Sequence, residues 1–392
     1  MKYKWLLLTF LFVATLLASC GGNDGLDTQT QQQVNDQDED ATTKTVDSNY
    51  QYHLPVIFHV FYKDQNDASQ YVPASRLKSL LQYVNEIYKG GVYGESANTH
   101  LTFELAERDE SGKMLSTPGV EYINYTGDFP IDETTFMSSA DNAKYVWDPN
   151  EYINVMLYPF KDFGNNMVLG LSHTPYTVKA NHELEGLDVV DTKYVSKSQL
   201  RYPRCSSINS TFMGQRDGGG YYQSDRYTNV NHQATYLTTT DIAVTMAHEL
   251  GHYLGLFHMF TERLDETTSA DSYAPLDSCG DTDFCKDTPS YNRAEYNNYL
   301  DSYFASTPST SYNLDYMLKR YACDATVFYS ANIMDYAFSL GYKISPDQKD
   351  RIRHVLYYSP LIPGPKLNGA NTRSGVTIEP SNKIYTSPRF FR

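Results

Sequence analysis

The chain has 392 residues, 41% of them hydrophobic, and a formal net charge of −15. This length suits one large domain or two modest ones, and the apolar fraction allows a sizeable core. The acidic balance and the lack of a long basic run argue against a nucleic-acid partner, because a phosphate-binding surface needs clustered Lys and Arg.

The first residues have the pattern of an export signal. An apolar run over residues 5–17 follows two lysines and is too short to be a transmembrane anchor. Residues 17–20, Leu-Ala-Ser-Cys, resemble the lipobox of bacterial lipoproteins. That resemblance implies a signal peptide over residues 1–19 and lipidation of Cys20, and an ordinary cleaved signal with a stray cysteine is the alternative. Residues 20–48 are polar without apolar periodicity, which indicates a flexible tether.

The folded part begins with an alternation of predicted strands and helices. Residues 55–62 form an apolar run that is typical of a buried central strand. Apolar residues at helical spacing over 77–87 predict a helix. Residues 101–106 and 152–158 predict two further strands. The stretch 107–150 between them is interpreted as loops and turns.

The second half of the chain is expected to hold less regular structure. Residues 168–172 predict an edge strand, and 201–235 an irregular loop. A helix is expected over 241–254, because Thr and Asp residues before it can cap its first turn. A long irregular segment follows, and Ser345 and Pro346 then open a helix that extends to about residue 357. The polar tail after it is interpreted as a loop or a loosely docked segment.

One eleven-residue motif, HELGHYLGLFH, begins at His248. On a helix, His248 and His252 project from one face and can bind one metal ion. Glu249 follows the first ligand and can accept a proton from a metal-bound water. Gly255 permits a sharp turn at the helix end, which brings His258 back as the third ligand. Three protein ligands on zinc leave a position open for water, which is the arrangement of a catalytic site.

Four cysteines remain besides Cys20: Cys205, Cys279, Cys285 and Cys323. An even number in an exported protein indicates two disulfides, with three possible pairings. We favour a bridge between Cys285 and Cys323, which would tie down the long loop after the motif. Four free thiols are the alternative.

The same loop carries closely spaced aspartates at positions 277, 281, 283 and 287. Carboxylates with nearby carbonyl oxygens can bind Ca²⁺, although this spacing is not that of an EF-hand. Asp281, Asp283 and Asp287 are therefore candidate calcium ligands, and a solvated acidic loop is the alternative.

The motif and a later segment, Asn-Ile-Met-Asp-Tyr at residues 332–336, resemble the metzincin zinc metallopeptidases. Together with Asp-Thr-Pro at residues 287–289, they are similar to the pappalysin or cytophagalysin branch. The resemblance is strong over about 240–356. It implies an α+β zincin fold, in which a mixed twisted sheet carries a backing helix and an active-site helix.

The resemblance also implies a division of the chain. An N-terminal catalytic subdomain would span residues 49–258. An irregular C-terminal subdomain with a terminal helix would span 259–360, and a tail would span 361–392. The expected edge strand at 168–172 would hold an extended substrate by main-chain pairing.

Each matching residue takes a role from the family. The three histidines of the motif would hold zinc, and Glu249 would act as general base and then general acid. Met334 would form an apolar floor beneath the metal, and Tyr336 would stabilise the transition-state oxyanion. Two positions depart from the pattern: Ser339 stands where some members have an acidic residue that favours basic substrate side chains, and Gly341 stands where they have a cysteine.

These observations predict a zinc-dependent endopeptidase with a protein or peptide substrate. The resemblance implies a monomeric lipoprotein, anchored to the outer membrane of a Gram-negative, Bacteroides-like bacterium on its periplasmic or surface side. One alternative is a surface-anchored, adhesin-like binding protein whose zinc site is structural or vestigial. Another is an enzyme restricted to a host glycoprotein or to a partner lipoprotein of its own cell.

Overall fold

The computed structural model describes residues 49–161, 167–179, 183–192, 194–216, 218–235, 237–238, 240–262, 276–336, 338–367 and 384–386. The described residues up to 364, together with 384–386, belong to one compact unit. A second unit, residues 1–47 with 365–370, lies almost entirely outside the described residues, as do the predicted signal, the tether and Cys20. The division at residue 258 stays a prediction.

The strands in chain order are β1 (Tyr52–Tyr62), β2 (Leu101–Leu105), β3 (Val120–Asn124), β4 (Ile153–Tyr158), β5 (Gly170–His173), β6 (Tyr176–Val178), β7 (Asp188–Val190), β8 (Ser206–Asn209), β9 (Lys319–Tyr321), β10 (Val327–Tyr329) and β11 (Ile384–Thr386). The α-helices are α1 (Ala74–Lys89), α2 (Glu133–Ser138), α3 (Ile242–Tyr253), α4 (Arg293–Ser306), α5 (Leu314–Leu318) and α6 (Pro346–Tyr358). Short 3-10 turns lie at Ala140–Tyr145, Lys197–Gln199, Ser210–Phe212, Asp225–Tyr227 and Ser309–Ser311. The predicted α+β class is confirmed.

A mixed sheet of seven strands forms the centre of the fold, in the order β11-β5-β8-β4-β1-β2, with β3 also paired to β1. β1 runs parallel to β2, β3 and β4, and β4 runs parallel to β8. β5 is antiparallel to both of its neighbours, β8 and β11. Residues 56–61 of β1 are almost completely buried, as the apolar run predicts for a central strand.

Helix α1 and helix α3 pack side by side on the sheet. The hydroxyl of Tyr88, near the end of α1, donates to the carbonyl oxygen of Ala247 in α3 at 2.9 Å. α1 ends at Gly90, whose φ of +71° belongs to the left-handed region. Both helices lie within one or a few residues of the predicted bounds, because their apolar spacing and end signals agree.

The prediction that residues 107–150 lack regular structure was wrong. This stretch contains β3 and α2, and the stretch 201–235 contains β8. The segment 259–331, also expected to be irregular, contains α4, α5, β9 and β10. β3 pairs with the second half of β1, beyond the reach of the shorter β2. Short strands of this kind depend on long-range pairing, so their own sequence carries little signal.

The prediction of a free edge strand at 168–172 was also wrong. β5 lies near the predicted position, but β11 pairs with its outer side over the contacts Ile384↔His173 to Thr386↔Leu171. Part of the tail therefore belongs to the central sheet. A three-residue strand far along the chain has no local pattern from which this pairing could be predicted.

The cysteine pairing differs from the expectation as well. Cys279 is bonded to Cys323, with 5.5 Å between their Cα atoms. Cys205 and Cys285 are free and buried. The favoured bridge between Cys285 and Cys323 was wrong because Cys285 points into the interior, whereas Cys279 lies at the surface beside Cys323. One bridge thus ties the two ends of the segment 279–323 together.

None of the helices in the described part of the chain combines the length and the apolar character needed to cross a bilayer.

Candidate metal centre

Helix α3 presents the first two histidines of the motif on one buried face. Asp241 caps its start, accepting from the backbone N–H groups of Ala243 and Val244 at 3.1 and 3.2 Å. His248 and His252 are four residues apart, so they stand one turn apart on the same side. The predicted cap and helix bounds are confirmed.

Gly255 turns the chain directly after the helix. Its φ is +92°, and a Cβ at this position would lie 2.8 Å from Cγ2 of Val355 in α6. Any other residue would be strained by its conformation and crowded by α6. The turn returns the chain to the helix, where His258 meets the first two histidines.

The three imidazoles converge on one point. The Nε2 atoms of His248, His252 and His258 lie 3.0, 3.1 and 3.2 Å from one another. All three side chains are buried. Zinc with three nitrogen ligands at about 2.0–2.1 Å in tetrahedral geometry would separate those nitrogens by roughly 3.3 Å. The spacing therefore fits one small cation.

Each imidazole is oriented by its other nitrogen. Nδ1 of His248 donates to the carbonyl oxygen of Ile333 at 2.6 Å, and Nδ1 of His252 donates to that of Leu256 at 2.8 Å. Nδ1 of His258 lies 2.7 Å from Oε2 of Glu262. A carbonyl oxygen can only accept, so the proton is on Nδ1 and the lone pair is on Nε2. Lone pairs at this distance repel one another, and a shared cation removes that repulsion.

Burial also keeps the three imidazoles neutral. Burial, assisted by the neighbouring His258, lowers the pKa of His248 to about 3. Burial lowers the pKa of His258 to about 3 and that of His252 well below the ordinary value. Neutral imidazole is the form that ligates a metal.

Glu249 is buried between helix α3 and strand β5. A Cβ on Gly170, the first residue of β5, would lie 2.6 Å from Cγ and 2.8 Å from Oε1 of Glu249. The hydroxyl of Ser172 donates to the carbonyl oxygen of Glu249 at 2.8 Å. Because Gly170 has no side chain, the carboxylate of Glu249 can occupy this space. Glu249 directly follows His248 in the sequence. No sequence motif marks Gly170 for this role.

Met334 lies beneath the helix turn between His248 and His252. A Cβ on Gly251 would lie 2.6 Å from its Sδ, and Met334 is completely buried. The preceding residue, Ile333, supplies the carbonyl that orients His248. The structure thus places Met334 as an apolar floor next to the metal ligands.

The residue after Met334 anchors this floor. Asp335 is buried and accepts from the hydroxyl of Tyr291 at 2.5 Å and from that of Ser330. The guanidinium groups of Arg320 and Arg293 lie 3.4 and 3.7 Å from its carboxylate. A buried carboxylate is stable only with such partners, so this cluster holds the turn rigidly.

Tyr336 lies at the side of the three histidines. Its ring centroid is 4.7 Å from that of His258 and 4.8 Å from that of Phe260. The guanidinium carbon of Arg293 lies 4.5 Å from the ring centroid. The structure therefore brings together the six residues singled out from the sequence: the three histidines, Glu249, Met334 and Tyr336.

The carboxylates of the three candidate calcium ligands do not meet at one site. Among the residues that the structure describes, the three histidines are the group that could share one ion. Asp287 instead accepts from the Ser345 hydroxyl at 2.5 Å and from the Asp347 N–H at 2.9 Å, and so supports the start of α6. Asp281 accepts from two backbone N–H groups of its own loop, those of residues 283 and 284.

Asp283 is buried and has a different character. The hydroxyl of Thr288 lies 2.6 Å from its Oδ2 and 2.7 Å from the carbonyl oxygen of Cys285. The Thr288 hydroxyl donates to these acceptors, and the backbone N–H of Cys285 donates to Oδ1 of Asp283 at 3.1 Å. Burial raises the pKa of Asp283 to about 7, although the hydrogen bonds from Thr288 and from the Cys285 N–H act to lower it. A carboxyl group that holds its proton is a poor calcium ligand.

Three buried neutral imidazoles, a carboxylate next to the first and an apolar methionine floor define the metal centre of a zincin-type metallopeptidase. The model of the peptidase family described as Pregnancy-associated plasma protein-A matches residues 206–357. This match confirms the predicted metzincin-type metalloendopeptidase of the pappalysin type over that part of the chain. None of the curated proteins compared with the chain matches it.

Several solved structures are similar to the chain at low identity. Mature mirolysin of Tannerella forsythia in complex with a cleaved peptide is 18% identical, covers 77% of this chain and 90% of its own, and has a TM-score of 0.44. A T. forsythia promirolysin mutant is 18% identical, covers 84% of this chain and 88% of its own, and has a TM-score of 0.47. Because these TM-scores are below 0.5, the roles given below rest on the residues of this chain.

The contact between Glu262 and His258 can be tested by mutation. We expect Glu262→Ala to weaken zinc binding by about 10- to 100-fold, because His258 loses the carboxylate that orients it. The affinity is measured by competition with a chelator. Glu295→Ala, at an exposed glutamate of α4, is the matched control and should leave the affinity unchanged. Equal affinities in a folded Glu262→Ala protein would contradict this role.

The protonation state of Asp283 in the folded protein can be tested by the pH dependence of stability. The pKa of Asp283 in the folded protein is raised, so the stability that its protonated form contributes is present below pH 4 and lost as the pH rises through about 7. We expect the free energy of unfolding to fall between pH 4 and pH 8 by roughly 2–4 kcal/mol more in the wild type than in Asp283→Asn. Urea unfolding at both pH values measures the difference. Parallel pH curves for the two proteins would show that Asp283 is ionised when folded.

Proposed function

We propose that this metallopeptidase is a zinc-dependent endopeptidase in which Glu249 transfers the protons. The observation that carries the proposal is the set of three buried Nε2 atoms within 3.2 Å of one another, with Glu249 adjacent on the same helix. His248, His252 and His258 would hold the zinc ion. When bound, zinc supplies a Lewis acid that polarises the substrate carbonyl and acidifies water.

The residues of the chain then divide the remaining work. Glu249 accepts a proton from the attacking water and later donates it to the leaving amine. Its burial against β5 keeps it next to the ligands and away from bulk solvent. Tyr336, beside His258, donates a hydrogen bond to the oxyanion that develops on the substrate. Met334 and the Asp335 cluster keep the ligands in place.

A binding protein with a structural or vestigial zinc site is the second candidate. A structural zinc site takes four protein ligands and needs no base. In this chain three histidines form the candidate ligand group, and Glu249 directly follows the first of them, His248. Zinc content together with casein cleavage, with and without a chelator, separates the two functions.

The breadth of the substrate range is a separate question. An enzyme restricted to one host glycoprotein or to a partner lipoprotein has the same centre as a general peptidase. A peptide-library cleavage profile of protein lacking residues 1–20 tests activity and side-chain preference together.

We also propose, from the lipobox-like residues 17–20, that Cys20 carries a lipid and anchors a monomer to the outer membrane. Metabolic labelling with a fatty acid in cells, with Cys20→Ser as control, tests this proposal. Absence of label on the wild-type chain would exclude it.

Glu249→Ala should abolish hydrolysis while zinc stays bound. We expect a loss of kcat of roughly 10³-fold or more, because general acid–base transfer contributes about 10²–10⁴-fold. Peptide hydrolysis and zinc content by atomic absorption are measured on the same preparation. Full activity in the variant would overturn the assignment of Glu249.

Tyr336→Phe should lower kcat by about 10- to 100-fold and change KM little, because the lost hydrogen bond acts on the transition state. Tyr316→Phe, at a tyrosine that is 53% exposed, is the matched control. An unchanged kcat in Tyr336→Phe would restrict this tyrosine to a packing role.

A further inference from the structure

A small cavity opens beside the metal centre. It has a volume of about 40 Å³ and lies between helix α3 and the segment that follows Met334. His248 and Tyr336 line it on the side of the centre, and Ser339 lines it on the other side. A substrate whose peptide bond is held at the three histidines would therefore place a neighbouring side chain in this cavity.

A buried arginine lines the same cavity. Arg226 is 1% exposed, and its Nε donates to the hydroxyl of Ser224 at 2.7 Å. Its Nη2 makes no hydrogen bond to any residue in the described part of the chain. The nearest carboxylate oxygen, Oδ2 of Asp241, lies 4.0 Å from Nη2, which is beyond hydrogen-bonding distance. A buried guanidinium with an unused donor is well suited to bind a carboxylate.

Asp241 also lines the cavity, but its carboxylate has other partners. It accepts from the backbone N–H groups of Ala243 and Val244 at the start of α3. It accepts from the N–H of Ser224 at 2.9 Å as well. The charge of Asp241 therefore stabilises the helix start, where the helix dipole favours a negative group.

Asp335 is the other carboxylate at the cavity, and it already faces two cations. Arg320 and Arg293 lie 3.4 and 3.7 Å from it. Neither of these arginines lines the cavity itself, but both lie against Asp335 and offset its charge. Both carboxylates at the cavity thus have partners of their own, whereas Nη2 of Arg226 makes no hydrogen bond to any described residue.

We propose that this cavity selects an acidic side chain, Asp or Glu, next to the scissile bond of the substrate. The inference rests on the endopeptidase function proposed above and names its substrate class. Arg226 is the specificity-determining residue, and its Nη2 donates to the substrate carboxylate. Ser339 supplies no charge, so it adds no further carboxylate that would compete for Arg226.

The size of the cavity agrees with this class of side chain. A volume of about 40 Å³ exceeds the 10–15 Å³ that one water needs. It accepts a carboxylate group but is small for an indole or phenol ring. The unused donor of Arg226 and the volume of the cavity therefore both favour a short acidic side chain.

The test compares two fluorogenic peptides that differ only in Glu or Gln next to the bond that a library profile identifies as cleaved. Glu and Gln have the same shape, so the ratio of their kcat/KM values reports the charge. We expect the wild type to prefer Glu by at least about tenfold, and Arg226→Gln to bring the ratio to within about threefold of one. Equal cleavage of both peptides, or a preference for Lys, would overturn the proposal.

A second pair of variants leaves Arg226 in place, in case its replacement prevents folding. Ser339→Asp adds a negative charge to the cavity, and Ser339→Asn is its uncharged counterpart of similar shape. We expect the Glu preference to fall by at least tenfold in Ser339→Asp and to persist in Ser339→Asn. Equal ratios in the two variants would also contradict the proposal.

A binding measurement separates this inference from the proposed function. Zinc-loaded Glu249→Ala is titrated calorimetrically with pairs of short peptides that carry Glu or Gln at one position, which is moved along the peptide, so that no cleavage data are needed. Tighter binding of the Glu peptide, by at least about fivefold, supports the cavity even if the wild type cleaves no peptide and the endopeptidase proposal fails. Equal Kd values overturn the acidic preference even if the wild type is an active peptidase.

Discussion

The three Nε2 lone pairs, held 3.0–3.2 Å apart in a buried site, are the constraint on which the rest of the structure depends. Uncompensated, they repel one another, so the protein must hold them together until a cation is bound. It does so through the opposite nitrogen of each ring. His248 is bound to Ile333, His252 to Leu256, and His258 to Glu262. Two segments, residues 256–262 and the one that contains Ile333, therefore orient the three imidazoles.

The more distant of these segments is held by buried polar contacts. Ile333 precedes Met334 and Asp335, and the Asp335 carboxylate is surrounded by arginine and tyrosine side chains. Breaking such a cluster would leave an uncompensated buried charge, so the turn has little freedom to move. The bridge from Cys279 to Cys323 limits the preceding segment further. The irregular part of the chain is thus rigid where the metal centre requires it.

The metal centre and the cavity beside it use the same helix for different purposes. The end of α3 carries the metal ligands, and its start, capped by Asp241, carries the wall near Arg226. Asp241 and His248 are about two turns apart on this helix, whereas Arg226 and Ser339 come from other segments that reach the same cavity. The proposed substrate preference could therefore change through Arg226 or Ser339 without a change in the three histidines.

The motif, the helix α3 and the order of the later residues Met334 and Tyr336 could be read from the sequence. Their spacing is local, and helical geometry converts it into a shared face. Helices α1 and α6 could also be predicted, because their apolar spacing and their end signals are local in the sequence. The strands β3, β8 and β11 could not be predicted, since each is defined by pairing with a distant strand and not by its own residues.

Tertiary structure alone decided the remaining features of the site. Cys279, not Cys285, faces Cys323, because burial of one thiol and exposure of the other depend on packing. Asp287 caps α6, 58 positions away, instead of joining a calcium site. Arg226 stands in an irregular stretch with no motif, and only the folding of that stretch against α3 brings it to the metal centre. Local spacing thus determined the chemistry of this protein, whereas long-range contacts determined which side chains surround it.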